Sequence, residues 1–152
     1  MTSFLEKIYT IEATIDDMNP QIYEYVMERL FAVGALEVLF IPVIAKKNRP
    51  AIILSCQAHE EHREALCDLI LRETTTFGVR YYPVERKILA REIRQMPTKN
   101  GDIRVKIGKT SEGEVLKQIP EYEDVRKLAH DTGRPLLEIY QEMTKKPLDS
   151  KK

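Results

Sequence analysis

"LEVLFIPVIAKKNRPAIILSCQA", Leu36 to Ala58, holds two apolar runs on either side of the five residues "KKNRP". Asparagine and proline punctuate backbone direction, so the interruption reads as a turn. The first run is nearly continuously apolar, the pattern of a strand buried on both faces. The second, "AIILSCQA", reads as the next strand. A strand–turn–strand unit therefore sits in the middle of this stretch, and the flanking segments must be arranged around it.

Upstream, "KIYTIEATID" (Lys7 to Asp16) alternates, with Ile11, Ala13 and Ile15 on one side and Thr10, Glu12 and Thr14 on the other. That period of two marks a half-buried strand. "DDMNP" breaks it: Asn19 suits an N-cap and Pro20 the first helical position, where no amide donor is needed. Ile22, Val26, Leu30 and Val33 then form an apolar stripe on a helix that stops at Gly34. Downstream, "HEEHREALCDLILRETTT" carries Ala65, Leu66, Leu69 and Ile70 at helical spacing, and "GVRYYPVERKIL" reads as a strand. The order strand, helix, strand, strand, helix, strand predicts an α+β fold with a ferredoxin-like βαββαβ core over residues 7–90.

Past Ala90 the pattern changes. "AREIRQMPTKNGDIRVKIGKT" predicts a β-hairpin around Asn100-Gly101. "PEYEDVRKLAHDTGRPLLEIYQEM" predicts a helical hairpin, with Val125, Leu128 and Ala129 on one face, Gly133 ending the first helix and Pro135 starting the second. Residues 91–145 thus form an extension of β-hairpin plus helical hairpin, and 146–152 a polar tail.

Of the 152 residues 43% are hydrophobic, enough for a core, and 24 basic residues balance 24 acidic ones. A net charge of zero argues against nucleic-acid binding by bulk electrostatics, so any cationic site must be local. RNA binding through the sheet face is disfavoured for the same reason and by the few aromatic residues. Cys56 and Cys67 lie in apolar segments, as buried thiols in a reducing compartment do. The longest apolar run, Val38 to Ala45, is about eight residues against the roughly 20 a bilayer needs. The opening "MTSFLEKIYTIEAT" carries charges where a signal peptide keeps its apolar stretch. The expectation is a soluble, cytoplasmic protein without membrane association.

Three polar clusters stand out. Asp16 and Asp17, with Asn19, begin a helix; they either complement its dipole or hold a hard divalent cation together with phosphate oxygens. Lys46, Lys47 and Arg49 in "KKNRP" are either a solvated loop or phosphate contacts. "RETTTFGVR" (Arg72 to Arg80) puts three threonines between two arginines, joined a few residues on by Arg86 and Lys87. This is either a plain helix–strand connection or an anion site, since guanidinium pairs bidentately with phosphate and hydroxyls fill the remaining acceptors.

Other candidates carry less. His59 and His62 are three apart and lack the zinc-protease spacing; Cys56 and Cys67 have no ligand pairs around them. No glycine-rich phosphate loop occurs, and no nucleophile has a base at fixed spacing. Of Tyr81 and Tyr82, one is expected in the core, the other free to stack.

"IEATIDDMNPQIYEYVMERLFAVGALEVLFIPVIAKKNRPA", "LILRETTTFGVRYYPVERKIL" and "PEYEDVRKLAHDTGRPLLEIY" resemble the C-terminal domain of the LarC family, from about Tyr9 to Tyr140. That family makes the nickel-pincer nucleotide cofactor of lactate racemase. The resemblance implies a CTP-dependent cyclometallase. It inserts nickel into a pyridinium bis(thiocarboxylic acid) mononucleotide while CTP is consumed to CMP and pyrophosphate. It implies binding of CTP with manganese or magnesium, cooperation with an N-terminal part of the protein, and assembly as a homo-trimer or hexamer. On the matching motifs, Asp16 and Asp17 would hold the divalent ion. Lys46, Lys47, Arg49, Arg72, Thr74, Thr75 and Arg80 would meet the phosphates, and Glu73 would orient an arginine or meet the sugar. The alternative is a non-catalytic ferredoxin-like module for ligand sensing or oligomerisation, because fold alone does not decide function.

Overall fold

The computed structural model describes residues 7–98 and 101–145, which fall into two compact units divided between Lys87 and Ile88. The first unit contains β1 (Ile8–Ile15), α1 (Ile22–Val33), β2 (Glu37–Ala45), a three-residue turn (Lys46–Asn48), β3 (Arg49–His59), α2 (Glu60–Glu73) and β4 (Arg80–Val84). Its sheet has the order β2-β3-β1-β4 with every neighbouring pair antiparallel. Strands joined through a helix are therefore never neighbours, which is the ferredoxin-like arrangement predicted from the element order.

Local chemistry sets the boundaries of α1. The Gln21 amide donates to Asn19 Oδ1 at 3.0 Å and the Ile22 amide to the Asn19 carbonyl at 3.0 Å. Asn19 thus closes a turn just ahead of the regular helix, which begins two residues later than Pro20. At the other end Gly34 takes φ 112° and its amide reaches the carbonyls of Leu30 and Phe31. Ile11, Ala13 and Ile15 from β1 pack with Val26 and Leu30 of α1 and Leu66 and Ile70 of α2 in one core. Burying each such Leu or Ile contributes about 1.5–3 kcal/mol. The buried stripe of α2 leans toward Cys67 and leaves Ala65 exposed, contrary to the predicted stripe. Both cysteines are free and buried.

The predicted double burial of β2 is wrong. β2 is an edge strand in which Val38 alone is buried, while Leu39, Ile41 and Ile44 keep 45%, 41% and 66% of their surface exposed. Pro42 explains the placement: it has no amide to offer a second neighbour, so this strand belongs at an edge. The expectation for Tyr81 and Tyr82 fails as well, because β4 is the opposite edge and both rings are roughly half exposed. Tyr81 instead meets Tyr9 edge-on, with the Arg63 guanidinium 4.9 Å and 4.7 Å from the two ring centres.

The second unit comprises β5 (Ala90–Thr98), β6 (Gly101–Lys109), β7 (Val115–Pro120), α3 (Tyr122–Thr132) and α4 (Leu136–Lys145). The predicted hairpin is present as β5 and β6, and β7 adds a third antiparallel strand beyond it. Gly101 has φ 122°; Asn100, the other half of the predicted turn, and the tail 146–152 lie outside the described residues. Met96, Ile103, Val105 and Ile107 pack against Val125 and Leu128 of α3 and Ile139 and Met143 of α4. Arg104 grips Asp124 with two side-chain nitrogens and its own amide, at 2.8–2.9 Å, which ties β6 to α3. Gly133 ends α3 with φ 67°, as predicted. Among the described residues no helix is long and apolar enough to cross a membrane.

Candidate functional site

The C-terminal end of β1, the turn between β2 and β3 and the loop after α2 meet at one end of the first unit's sheet. They enclose a cavity of about 650 Å³ lined by Thr14, Ile15, Asp16, Asp17, Ala45, Lys46, Lys47, Arg49, Thr75, Thr76 and Phe77. Topology produces this meeting. β1 and β3 run antiparallel with Ile15 opposite Ile52, so the residues after β1 emerge beside the turn that precedes β3.

Cationic and acidic groups are in direct contact there. Arg49 Nη1 lies 3.3 Å from Asp16 Oδ2, and Thr75 Oγ1 donates to Asp17 Oδ1 at 2.5 Å. Lys47 and Asn48 both adopt the left-handed backbone, φ 60° and 57°, a conformation unfavourable for residues with a Cβ. The turn therefore stores backbone strain at the position where Lys46 and Lys47 line the cavity.

Six of the ten residues singled out from the sequence thus share one cavity: Asp16, Asp17, Lys46, Lys47, Arg49 and Thr75. Arg80 stands next to it. Its Nε donates to Glu12 Oε2 at 3.0 Å and its Nη1 to Thr14 Oγ1 at 3.3 Å, on the sheet face opposite the helices. Arg72, Glu73 and Thr74 are not brought in. α2 continues through Glu73, so Arg72 is left on an exposed turn and Glu73 pairs with Arg29 of α1 at 3.4 Å. Thr74 Oγ1 donates to the Ile70 carbonyl at 2.7 Å, which closes the helix. Nor do Arg86 and Lys87 line the cavity.

The three threonines also divide their work differently from the predicted joint anion site. Thr74 accepts from the Thr76 amide, Thr76 Oγ1 donates to the Gly78 carbonyl at 3.0 Å, and Thr75 alone reaches across to an acidic group. Thr74 and Thr76 shape the loop, Thr75 bonds an acidic group of the site, and Thr75 and Thr76 both line the cavity. Sequence reasoning missed Thr14 and Phe77 as lining residues. Thr14 was legible as a member of the polar side of the first strand, whereas nothing in the spacing around Phe77 marks it.

The donor set bears on which metal this site would suit. Among the described residues no group of three or more His, Cys, Asp or Glu side chains comes together, so His59 and His62 build no such cluster. Asp16 and Asp17 supply carboxylate oxygens only. A hard ion such as magnesium or manganese, which takes one or two carboxylates and completes its shell with phosphate and water, fits that set. Beside this cavity a second hollow of about 570 Å³ shares Ile15, Asp16 and Asp17 and is otherwise walled largely by apolar residues, among them Met18, Tyr23 and Ile44.

Comparison with known proteins agrees with the fold and extends it. A family model described as nickel insertion protein matches residues 2–140. A pyridinium-3,5-bisthiocarboxylic acid mononucleotide nickel insertion protein of Acetivibrio thermocellus is 46% identical over 140 residues, 92% of this chain and 34% of that protein. One of the same description from Clostridium acetobutylicum is 42% identical over 144 residues, 95% of this chain and 34% of its own length. The chain thus spans about a third of the length of these curated relatives. Among solved structures, LarC2, the C-terminal domain of a cyclometallase involved in synthesis of the NPN cofactor of lactate racemase, superposes with a TM-score of 0.81. It is 38% identical, with 89% of this chain and 92% of that one covered. A protein from Methanopyrus kandleri shares the fold at 22% identity and a TM-score of 0.66. On the family match and these identities, the chain belongs to the nickel insertion protein family.

Proposed function

We propose that the first unit binds a nucleoside triphosphate, CTP, together with manganese or magnesium. We further propose that the chain serves in this way within a CTP-dependent nickel insertion protein. In that role nickel is a substrate, delivered into a pyridinium bis(thiocarboxylic acid) mononucleotide to form the nickel-pincer nucleotide of lactate racemase, with CTP consumed to CMP and pyrophosphate. The catalytic step would require the remaining, N-terminal part of the full-length protein. The observation that carries the reading is the single cavity in which Asp16 and Asp17 face Lys46, Lys47 and Arg49. A bare polyphosphate is repelled by the two carboxylates and a bare metal ion by the three cations. The metal–polyphosphate pair satisfies both sets. Binding would exchange the Asp16–Arg49 and Asp17–Thr75 contacts for contacts to metal and phosphate.

Titration calorimetry with CTP, with and without manganese, and with ATP, GTP and UTP in parallel, tests this. Heat is expected only with the metal and is expected to favour cytidine. Lys47→Ala should weaken binding by about 1–3 kcal/mol, the loss of one charge-assisted contact. Arg72→Ala, outside the cavity, should leave it unchanged. Absence of any nucleotide binding by the folded protein would reject the reading.

A second reading, a non-catalytic assembly module, draws on the exposed Leu39 and Ile41 of β2, which lie on the sheet face opposite the helices. Assembly as a homo-trimer or hexamer would cover them. This reading predicts an oligomer indifferent to Lys47→Ala and to nucleotide.

A further inference from the structure

Phe77 is fully exposed, at 104% of its reference surface, yet it lines the same cavity as Lys46, Lys47 and Arg49. It is the one aromatic residue among the described residues that line the cavity. The loop that carries it is held in shape: Thr74 closes α2 and accepts from the Thr76 amide, Thr76 Oγ1 bonds the Gly78 backbone just after Phe77, and Thr75 anchors the loop to Asp17. A fixed loop therefore presents a bare ring at the rim of a polar cavity. Leaving such a ring in water forfeits its burial, and a connection that only joined α2 to β4 has no use for it.

We propose that Phe77 is the platform on which the base of the bound nucleotide stacks, an inference that rests on the metal–polyphosphate reading of the cavity. Lys46, Lys47, Arg49 and the two aspartates engage the phosphates and metal, and carry no preference for one nucleoside over a plain polyphosphate. The base, tethered to the same phosphates through ribose, must lie along the cavity wall or over its rim. Phe77 supplies a flat apolar face there. Tyr23, in the neighbouring hollow, is already packed edge-on against Phe40 at 4.8 Å, so its ring is committed to the fold. Stacking is tolerant of base identity because every base has a π face, so Phe77 adds affinity for nucleotides over inorganic polyphosphate without itself selecting cytosine.

The chain contains no tryptophan, so Phe77→Trp introduces a single tryptophan, excited selectively over the tyrosines, at the proposed contact. Its emission should be quenched by manganese- or magnesium-CTP and be unaffected by the magnesium complex of inorganic tripolyphosphate. Phe77→Ala should weaken CTP about 5- to 150-fold, the range that loss of one base–aromatic stack implies, and leave tripolyphosphate affinity unchanged. The side chain touches no core, so both variants should melt as the parent does. If the parent binds tripolyphosphate and CTP, and Phe77→Ala alters neither, the base lies elsewhere and the stacking inference falls while the cavity reading stands. If the parent binds neither ligand, the cavity reading fails and takes this one with it. If Phe77→Ala changes the sedimentation of the ligand-free protein, the ring packs against a second copy and the inference is overturned.

Discussion

At Gly34 two constraints meet that the sequence shows only in part. Its position after the stripe Val26–Leu30–Val33 marks it as a helix terminator, and it adopts φ 112°. The second constraint is tertiary. A Cβ there would come within 2.8 Å of the His62 ring, which sits on α2 and is remote in sequence. Gly34→Ala should therefore destabilise the first unit by about 1–3 kcal/mol in chemical denaturation, combining backbone strain and crowding. Adding His62→Ala should restore the steric part and leave the backbone part; full restoration would show that the backbone conformation costs nothing. Cys56 shows the same division. Its apolar surroundings make its burial legible, as they do that of Cys67, while the closeness of the two thiols is not. Burial, reinforced by Cys67, pushes the Cys56 thiol up to about 12. Native protein should resist iodoacetamide at pH 8 at both cysteines and react at both in guanidinium, as counted by mass spectrometry.

Elements with a strong period or a turn residue at their ends were readable, and those defined by their neighbours were not. β1 and α1 are both present where alternation and the stripe with its glycine stop place them, although Thr10 on the polar side of β1 is buried and α1 starts two residues past Pro20. β2 has as apolar a sequence as a central strand, yet Pro42 puts it at an edge, and that single residue outweighs the run around it. β7 is not predicted because "VLKQIP" lacks alternation. The site divided in the same way. Residues flanking strand ends, Asp16 and Arg49 for example, converge because strand register forces them together. Arg72 and Glu73 share that stretch of sequence but lie in the last turn of α2, Arg72 exposed and Glu73 paired with Arg29. In the second unit, the Arg104–Asp124 contact between β6 and α3 carries a pH signature. Hydrogen bonds from the Arg104 side chain and amide lower the Asp124 carboxyl from 3.8 to about 2. A depressed carboxyl stabilises the fold above its unfolded pKa and loses that contribution as pH falls through the folded one. The strap should be at full strength above about pH 5 and fade between about pH 4 and pH 2. Because the pair is partly solvated, Asp124→Asn should cost about 1 kcal/mol at pH 7 and close to nothing at pH 2. Denaturant midpoints of parent and variant across that range measure it, and a constant gap would sink the assignment.

For the molecule as a whole, the division at Lys87 and Ile88 gives the ligand hypothesis a spatial consequence. Every described residue lining the polar cavity, from Thr14 to Phe77, belongs to the first unit. A ligand that binds only the folded state stabilises what it binds, by about 2.7 kcal/mol at a free concentration one hundred times its dissociation constant. Hydrogen exchange with saturating manganese-CTP should therefore slow first at residues 14–17, 45–49 and 75–77. Because β1, β2 and β3 share one ladder, the slowest-exchanging amides of the first unit's sheet should gain protection as well. Amides of β5, β6 and β7, whose core is separate, should exchange at the same rate with and without ligand. The strained turn sharpens the expectation. Lys47 and Asn48 hold left-handed backbones in the free protein, so Asn48→Gly, which removes the penalty at that position, should stabilise the ligand-free unit slightly while loosening the turn. If the strain serves to hold Lys47 toward the phosphates, that variant should bind manganese-CTP more weakly than the parent despite its higher melting temperature. Equal or tighter binding would mean that the turn's conformation is incidental to the site.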